Sequence, residues 1–255
     1  MKIAFGLIGG AMLAMASPAL AQSYTFTTTG SDSALTGTPY GNTKTIDSDQ
    51  STSVKVKVSA WQSNLSTNNI TSAWLGAYSG GLGVTGLGDS SGNSNLHQID
   101  NNGQYTDFLL LQFSQAMTLT GIKTNSYGIG GVTDNDAVWY DAGAVAPKVW
   151  NAAIPLTTYD TVPSTWSPVA AGGNGVVRAT GASISSTAWL VGAAFTPVTD
   201  RNDGFKLAGI SARLATPTVP PAVPEPATWA MMLVGFGSIG SAMRRGRRRQ
   251  VAAIA

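Results

Sequence analysis

The sequence of 255 residues has no cysteine, one histidine and one glutamate, and only 11% of it is charged. Without cysteine there is no disulfide scaffold, no thiolate metal site and no cysteine nucleophile. The single histidine, His97, excludes a zinc site built from several imidazoles. The charge content is less than half the ~25% usual for soluble domains. A hydrophobic content of 43% is nevertheless too high for a disordered polymer. The length suits one large or two small domains with a filled core.

The few charges are segregated. Lys2 stands near the start, and Arg244, Arg245, Arg247, Arg248 and Arg249 lie in the last twelve residues. Between Gln22 and Val223, nine Lys and Arg face twelve Asp, so the body carries −3 although the whole chain carries +2. The basic balance therefore belongs to the tail, and no basic face for nucleic acid remains without it. Every acid of the body is Asp. The one glutamate is Glu225, between two prolines.

The two ends read as targeting segments. Residues 1–21 have the pattern of a secretory signal: Lys2, an apolar run from Ile3 to Ala16 expected to be helical, and Ala19-Leu20-Ala21 as a small-x-small cleavage site. The mature chain then begins at Gln22 outside the inner membrane. At the other end, residues 216–226 hold five prolines and form a Pro-rich linker, stiff and extended for lack of backbone donors. Residues 227–243 carry no charge, which predicts a short single transmembrane helix. Trp229 is its interfacial anchor, and the arginine-rich tail 244–255 stays cytoplasmic. Gly235, Gly237 and Gly240 weaken this helix and leave room for close helix approach. The same glycines satisfy a dinucleotide-binding spacing, but no strand–turn–helix unit surrounds them.

This arrangement resembles the PEP-CTERM sorting signal. The residues that carry the likeness are Pro224-Glu225-Pro226, then Ala-Thr-Trp-Ala-Met-Met-Leu-Val-Gly-Phe-Gly (227–237), then Arg244-Arg245-Gly246-Arg247-Arg248-Arg249. The Trp-Ala-Met-Met and Gly-Phe-Gly wording is similar to a recurrent subtype. The resemblance implies an exported Gram-negative precursor, held transiently at the inner membrane and recognised there by an exosortase. That enzyme cuts near Pro-Glu-Pro and passes the protein to the cell surface or an exopolysaccharide matrix. The stretch Val54 to Asp141 also resembles exosortase-dependent surface proteins, through Val58-Ser-Ala-Trp61, Tyr78-Ser-Gly-Gly-Leu-Gly-Val84, His97-Gln-Ile-Asp-Asn101, Asp107-Phe-Leu-Leu-Leu-Gln-Phe113 and Thr133-Asp-Asn-Asp136. It implies surface display and no established enzymatic activity.

The body, residues 22–215, reads as β. Val54-Lys55-Val56-Lys57-Val58 alternates as a half-buried strand does, and Phe108–Phe113 reads as a central strand. Met117–Ile122 is expected to pair back onto it across Ser114-Gln115-Ala116, and Asp141–Ala153 could hold a short helix. Further strands are expected at 24–28, 137–140, 188–193 and 205–214, with Gly-rich turns between. The fold class is mainly β: an antiparallel, jelly-roll-like β-sandwich between the N-terminal signal helix and the C-terminal transmembrane helix.

The body's chemistry offers weaker patterns. His97 with Asp100 and a serine could in principle form a triad, but no Gly-x-Ser-x-Gly elbow is present, so catalytic residues are expected to be absent. Asp134 and Asp136 are the candidate ligands of a structural Ca²⁺, with Asp89-Ser-Ser-Gly-Asn93-Ser-Asn95 a second oxygen-rich loop. Asp and Asn fill turns for backbone reasons too. Trp61, on the lysine-bearing face of its strand, is the candidate glycan contact. The sequence thus points to an exported non-enzymatic surface or matrix protein. A carbohydrate-binding envelope module is the alternative, and a polysaccharide-active enzyme a more distant one.

Overall fold

A computed structural model describes residues 21–30, 42–67, 69–87, 89, 97–129, 131–143, 166–194, 201–215 and 226–251. The expected signal helix, Pro224 and Glu225 lie outside the described residues, as do most of the expected helix over 141–153 and all but Asp89 of the 89–95 loop. Asp141 itself ends a strand.

The body consists of strands β1 (Ser23–Thr27), β2 (Thr43–Ser48), β3 (Ser51–Asn64), β4 (Ile70–Ser72), β5 (Trp74–Tyr78), β6 (Gly81–Thr85), β7 (Ile99–Asp100), β8 (Tyr105–Ser126), β9 (Ala137–Asp141), β10 (Ser167–Pro168), β11 (Val177–Ala179), β12 (Ser186–Ala193) and β13 (Gly204–Leu214). They join in one 13-stranded sheet, and every pairing between named strands is antiparallel. The mainly β, antiparallel character read from the sequence is what the structure has.

The strand β8 organises this sheet. Its first half, 105–113, lies between β3 and β12; its second half, 117–126, pairs with β13 and β11. The residues expected to form a hairpin with one another are therefore consecutive parts of one 22-residue strand. The correction has a local cause. Ser114-Gln115-Ala116 contains none of the Gly, Asn, Asp or Pro that a tight reversal needs, so the chain runs on. Exposed Gln115 marks the place where β8 leaves one set of partners for the other.

Side-chain alternation decides what is buried. On β3, Val54, Val56, Val58 and Ala60 face the core, while Lys55 and Lys57 lie on the other side, with Lys55 paired to Asp47 of β2 at the solvent edge. Exposed pairs of this kind contribute little. On β8, Leu109, Leu111 and Phe113 enter the main core with Val56, Val58, Ile210 and Ala212. Phe113 meets Phe26 of β1 at 5.5 Å between ring centroids, so strands from the two halves of β8 enclose one core. Phe108 and Leu110 point the opposite way, into a second cluster with Ile70, Ala142, Ala188 and Leu190, flanked by Trp61, Tyr140 and Trp166. Two apolar faces explain why Phe108–Phe113 reads as a continuous apolar run.

Residues 216–255 form a separate unit. Its helix α1, Pro226–Val251, opens on a proline, whose missing N–H is no loss in the first turn. The arginines fall in its C-terminal part, where the helix dipole favours positive charge. The helix forms as expected, but the transmembrane expectation finds no support: among the described residues no helix is long and apolar enough to cross a membrane. The charge-free stretch is only seventeen residues, and Gly235, Gly237, Ser238, Gly240 and Ser241 dilute its apolar content. Both serine hydroxyls bond back to carbonyls three residues earlier, of Gly235 and Ser238.

Candidate functional sites

The described part of the sorting segment is α1, and on it the large apolar side chains stand free. Trp229, Met231, Met232, Leu233, Val234, Phe236, Ile239 and Met243 are all exposed. A helix apolar around its circumference needs a cover from lipid or protein. Trp229 is at the end of the first turn, and Gly235, Gly237 and Gly240 leave open space where a Cβ would stand. Arg244 and Arg245 are exposed on the following turn.

Within the body, groups with shifted acidity collect at one end of the sheet. Thr85 ends β6, and its Oγ1 lies 2.6 Å from His97 Nδ1. The His97 ring also packs 5.2 Å from that of Tyr78, and its backbone is held at a φ of 79°, a strained value for a residue other than glycine. Lys206 of β13 places its ammonium over both Tyr78 and Tyr127, at 4.2 and 4.5 Å from the ring centres. Burial lowers the pKa of His97, and the nearby Lys206 charge adds to this. Burial likewise lowers Lys206 and raises Tyr78.

Three aspartates share that end. Asp89 accepts the Gly86 N–H at 2.6 Å, yet burial still raises its pKa. Asp100 and Asp107 are buried; burial raises both, Asp100 to about 7, and each is raised further by a neighbouring carboxylate. The close approach of chain segments here depends on glycine. A Cβ on Gly83 would run into the His97 carbonyl, a backbone atom that cannot swing aside. Gly83→Ala should therefore destabilise the body by ~2–3 kcal/mol, read as a lower urea midpoint with unchanged slope. An unchanged midpoint would show that β6 and the 97–98 segment are not in contact.

A triad is not assembled. The His97 partner is the hydroxyl of Thr85, whereas Asp100 is buried with its Oδ1 accepting the Asn102 N–H at 3.0 Å.

The candidate cation ligands Asp134 and Asp136 do come together, joined by Asp203, which is 1% exposed; one oxygen from each lies within 4.8 Å of the others. A bridge between Asp134 and Asp203 sets them side by side. Asp134 Oδ1 accepts the Asn135 and Asp136 N–H groups, and Asp203 accepts from Asn101 Nδ2 and the Asp136 N–H. Such hard oxygens could hold Ca²⁺. The resident positive charge is Arg178, 2% exposed, whose ionised form all three carboxylates favour against the burial that lowers its pKa. Its Nε donates to the Ala170 carbonyl at 2.7 Å, and Nη1 to the Asn135 carbonyl at 2.6 Å. Neither Asp203 nor Arg178 stands out in the sequence, because nothing local marks a strand-end Asp or one Arg after two valines.

Trp61, the candidate glycan contact, is half-buried against the second cluster, and its indole N–H bonds Ser59 Oγ at 2.8 Å. Trp189 is fully buried, and Trp74 is the exposed indole of the described body at 48%.

Comparison with known families places the PEP-CTERM protein-sorting motif on residues 222–249. No curated protein and no solved structure matches the chain.

Proposed function

We propose that this chain, which carries the PEP-CTERM protein-sorting motif at its C-terminal end, is an exported surface or extracellular-matrix protein without enzymatic activity. The motif itself implies an exported, membrane-anchored precursor processed by an exosortase. In this reading the two units have separate fates. The β body, a sandwich of jelly-roll type, is what the cell delivers, and residues 222–249 are the address that is removed. Exopolysaccharide is the expected setting of the delivered body.

The observation that carries this reading is the motif's residue order on α1. The Pro-Glu-Pro tripeptide runs into the first helical residue, an apolar surface with no cover follows, and the arginines come last. Pro224 and Pro226 restrict the backbone around Glu225, so a processing enzyme could read one carboxylate at little ordering cost. Gly235, Gly237 and Gly240 would let a partner helix come close. A non-catalytic body is favoured by the bonds of its polar groups, since His97 and Asp89 are each bonded to a neighbouring hydroxyl or backbone N–H.

The test is the intact mass of the protein from membrane and extracellular fractions, with Glu225→Ala in parallel. The expected extracellular form begins at Gln22 and ends near Pro226, and the variant accumulates uncut at the membrane. Arg249 retained in both fractions of the wild-type protein would overturn the reading.

A further inference from the structure

The two buried carboxyl groups at the crowded end of the sheet are placed for something other than holding a turn. Asp107 lies near the start of the buried part of β8, next to buried Thr106, and Asp100 ends β7; both aspartates are 4% exposed. They touch through the backbone, since the Asp100 N–H donates to the Asp107 carboxyl. Asp107 Oδ1 also lies 3.3 Å from where a Cβ on Gly86 would stand, so this carboxyl sits beneath the turn after β6. That turn is held by two further bonds: Gly86 N–H to Asp89, and Leu87 N–H to Gln62 Oε1 at 2.7 Å. Gln62 is the register partner of Asp107.

The polar inventory of this place is unbalanced. Asp100 Oδ2 is buried with no hydrogen-bond partner, and so are both amide atoms of Gln98, which is 2% exposed. A Cβ on Gly204, the register partner of Asp100, would lie 3.0 Å from Gln98 Oε1, which sets this amide beside Asp100. An ionised Asp100 would thus keep a buried charge with one bare oxygen, a costly arrangement.

The charged groups around the pair do not remove the problem. Asp89, from the turn, adds negative charge. His97 precedes β7, and Lys206 of β13 is engaged with two tyrosine rings. Arg201 donates to the Gly103 carbonyl, Asp203 accepts from Asn101, and Tyr105 starts β8. Gln62 of β3 is neutral, and β12 holds no titratable side chain.

We propose that Asp100 and Asp107 form a proton-binding pair, a latch that fixes the Gly86–Leu87 turn and the 97–102 segment when protonated and loosens them when both carboxyls ionise. The direction of the pH effect follows. Both acids titrate above their unfolded value, so the folded state binds more protons than the unfolded chain in that interval. The contribution of Asp100 to stability is complete below about pH 4 and is lost as pH rises through about 7; that of Asp107 is likewise lost only well above the ordinary carboxylate range. An exported protein meets such a change whenever its surroundings acidify, and the latch would close then.

The experiment is a ¹³C carboxyl titration of the aspartates in the full chain in detergent micelles, from about pH 4 to about pH 9, with amide hydrogen exchange on the same samples. The expected Asp100 midpoint is about 7. Protection of the Leu87 and Asn102 amides, corrected for intrinsic exchange, should fall by about tenfold between roughly pH 6 and pH 8.5 and stay flat in Asp100→Asn. If that variant does not fold, the wild-type titration decides alone. Both carboxyls titrating below about pH 5, or pH-independent protection in the wild-type protein, would overturn the proposal.

Discussion

Trp189→Ala should cost the body ~3–5 kcal/mol, the upper range for losing an aromatic side chain from a core. Trp189 is fully buried on β12, its ring lies 5.5 Å from that of Trp139, and its indole N–H donates to the Met117 carbonyl at 3.1 Å. The side chain therefore does two things. It fills the core behind β8, and it ties β12 to β8 just beyond exposed Gln115, where β8 changes partners. Removing it leaves a cavity and an unpaired carbonyl at the same place, two losses that reinforce each other. Urea unfolding followed by tryptophan fluorescence of the remaining indoles reads the effect. Trp74→Ala, at an exposed position, is the control and should change stability by less than about 1 kcal/mol. Equal losses in the two variants would refute this account of the core.

Arg178→Met should cost ~3–5 kcal/mol for a different reason. The methionine keeps much of the stem but none of the donors. The Ala170 and Asn135 carbonyls lose their partner, and so does Thr124, whose hydroxyl lies 3.3 Å from Nη1. More important, Asp134, Asp136 and Asp203 lose the buried cation that offsets them, and breaking a buried charge arrangement by removing one member is strongly destabilising. The two costs are separable by Arg178→Lys, which keeps a positive charge but not the fork of donors. Urea unfolding should show a smaller loss for Arg178→Lys than for Arg178→Met. Equal losses would mean that the guanidinium acts only through the carbonyls it binds.

Local patterns in the chain account for some of this molecule and leave the rest unannounced. The Val54–Ala60 alternation is a property of neighbouring residues, so it survives into β3 intact. The sorting segment is equally readable, because its proline, apolar and arginine parts are contiguous. The 22-residue strand is less so. Nothing in Phe108–Ile122 states that one strand can serve two sets of partners, and the polar Ser114-Gln115 pair mimics a turn. The transmembrane expectation rested on the absence of charge, whereas crossing a membrane also depends on how many glycines and serines dilute the stretch. Asp134 and Asp136 are two residues apart and visible as a pair; Asp203 and Arg178 reach them only through the pairing of distant strands. Long-range placement of this kind has no local signature.

The pairing of β1 with β13 has a consequence for the moment of synthesis. The first strand of the body finds its partner only in the last, residue by residue from Ser23 opposite Arg213 to Thr27 opposite Gly209. An emerging chain cannot complete this sheet while its C-terminal part is still being made, and sheets closed by such distant segments form slowly. The body therefore stays incomplete until its final strand has been made, and removing β13 would unpair the first strand of the body as well as the second half of β8.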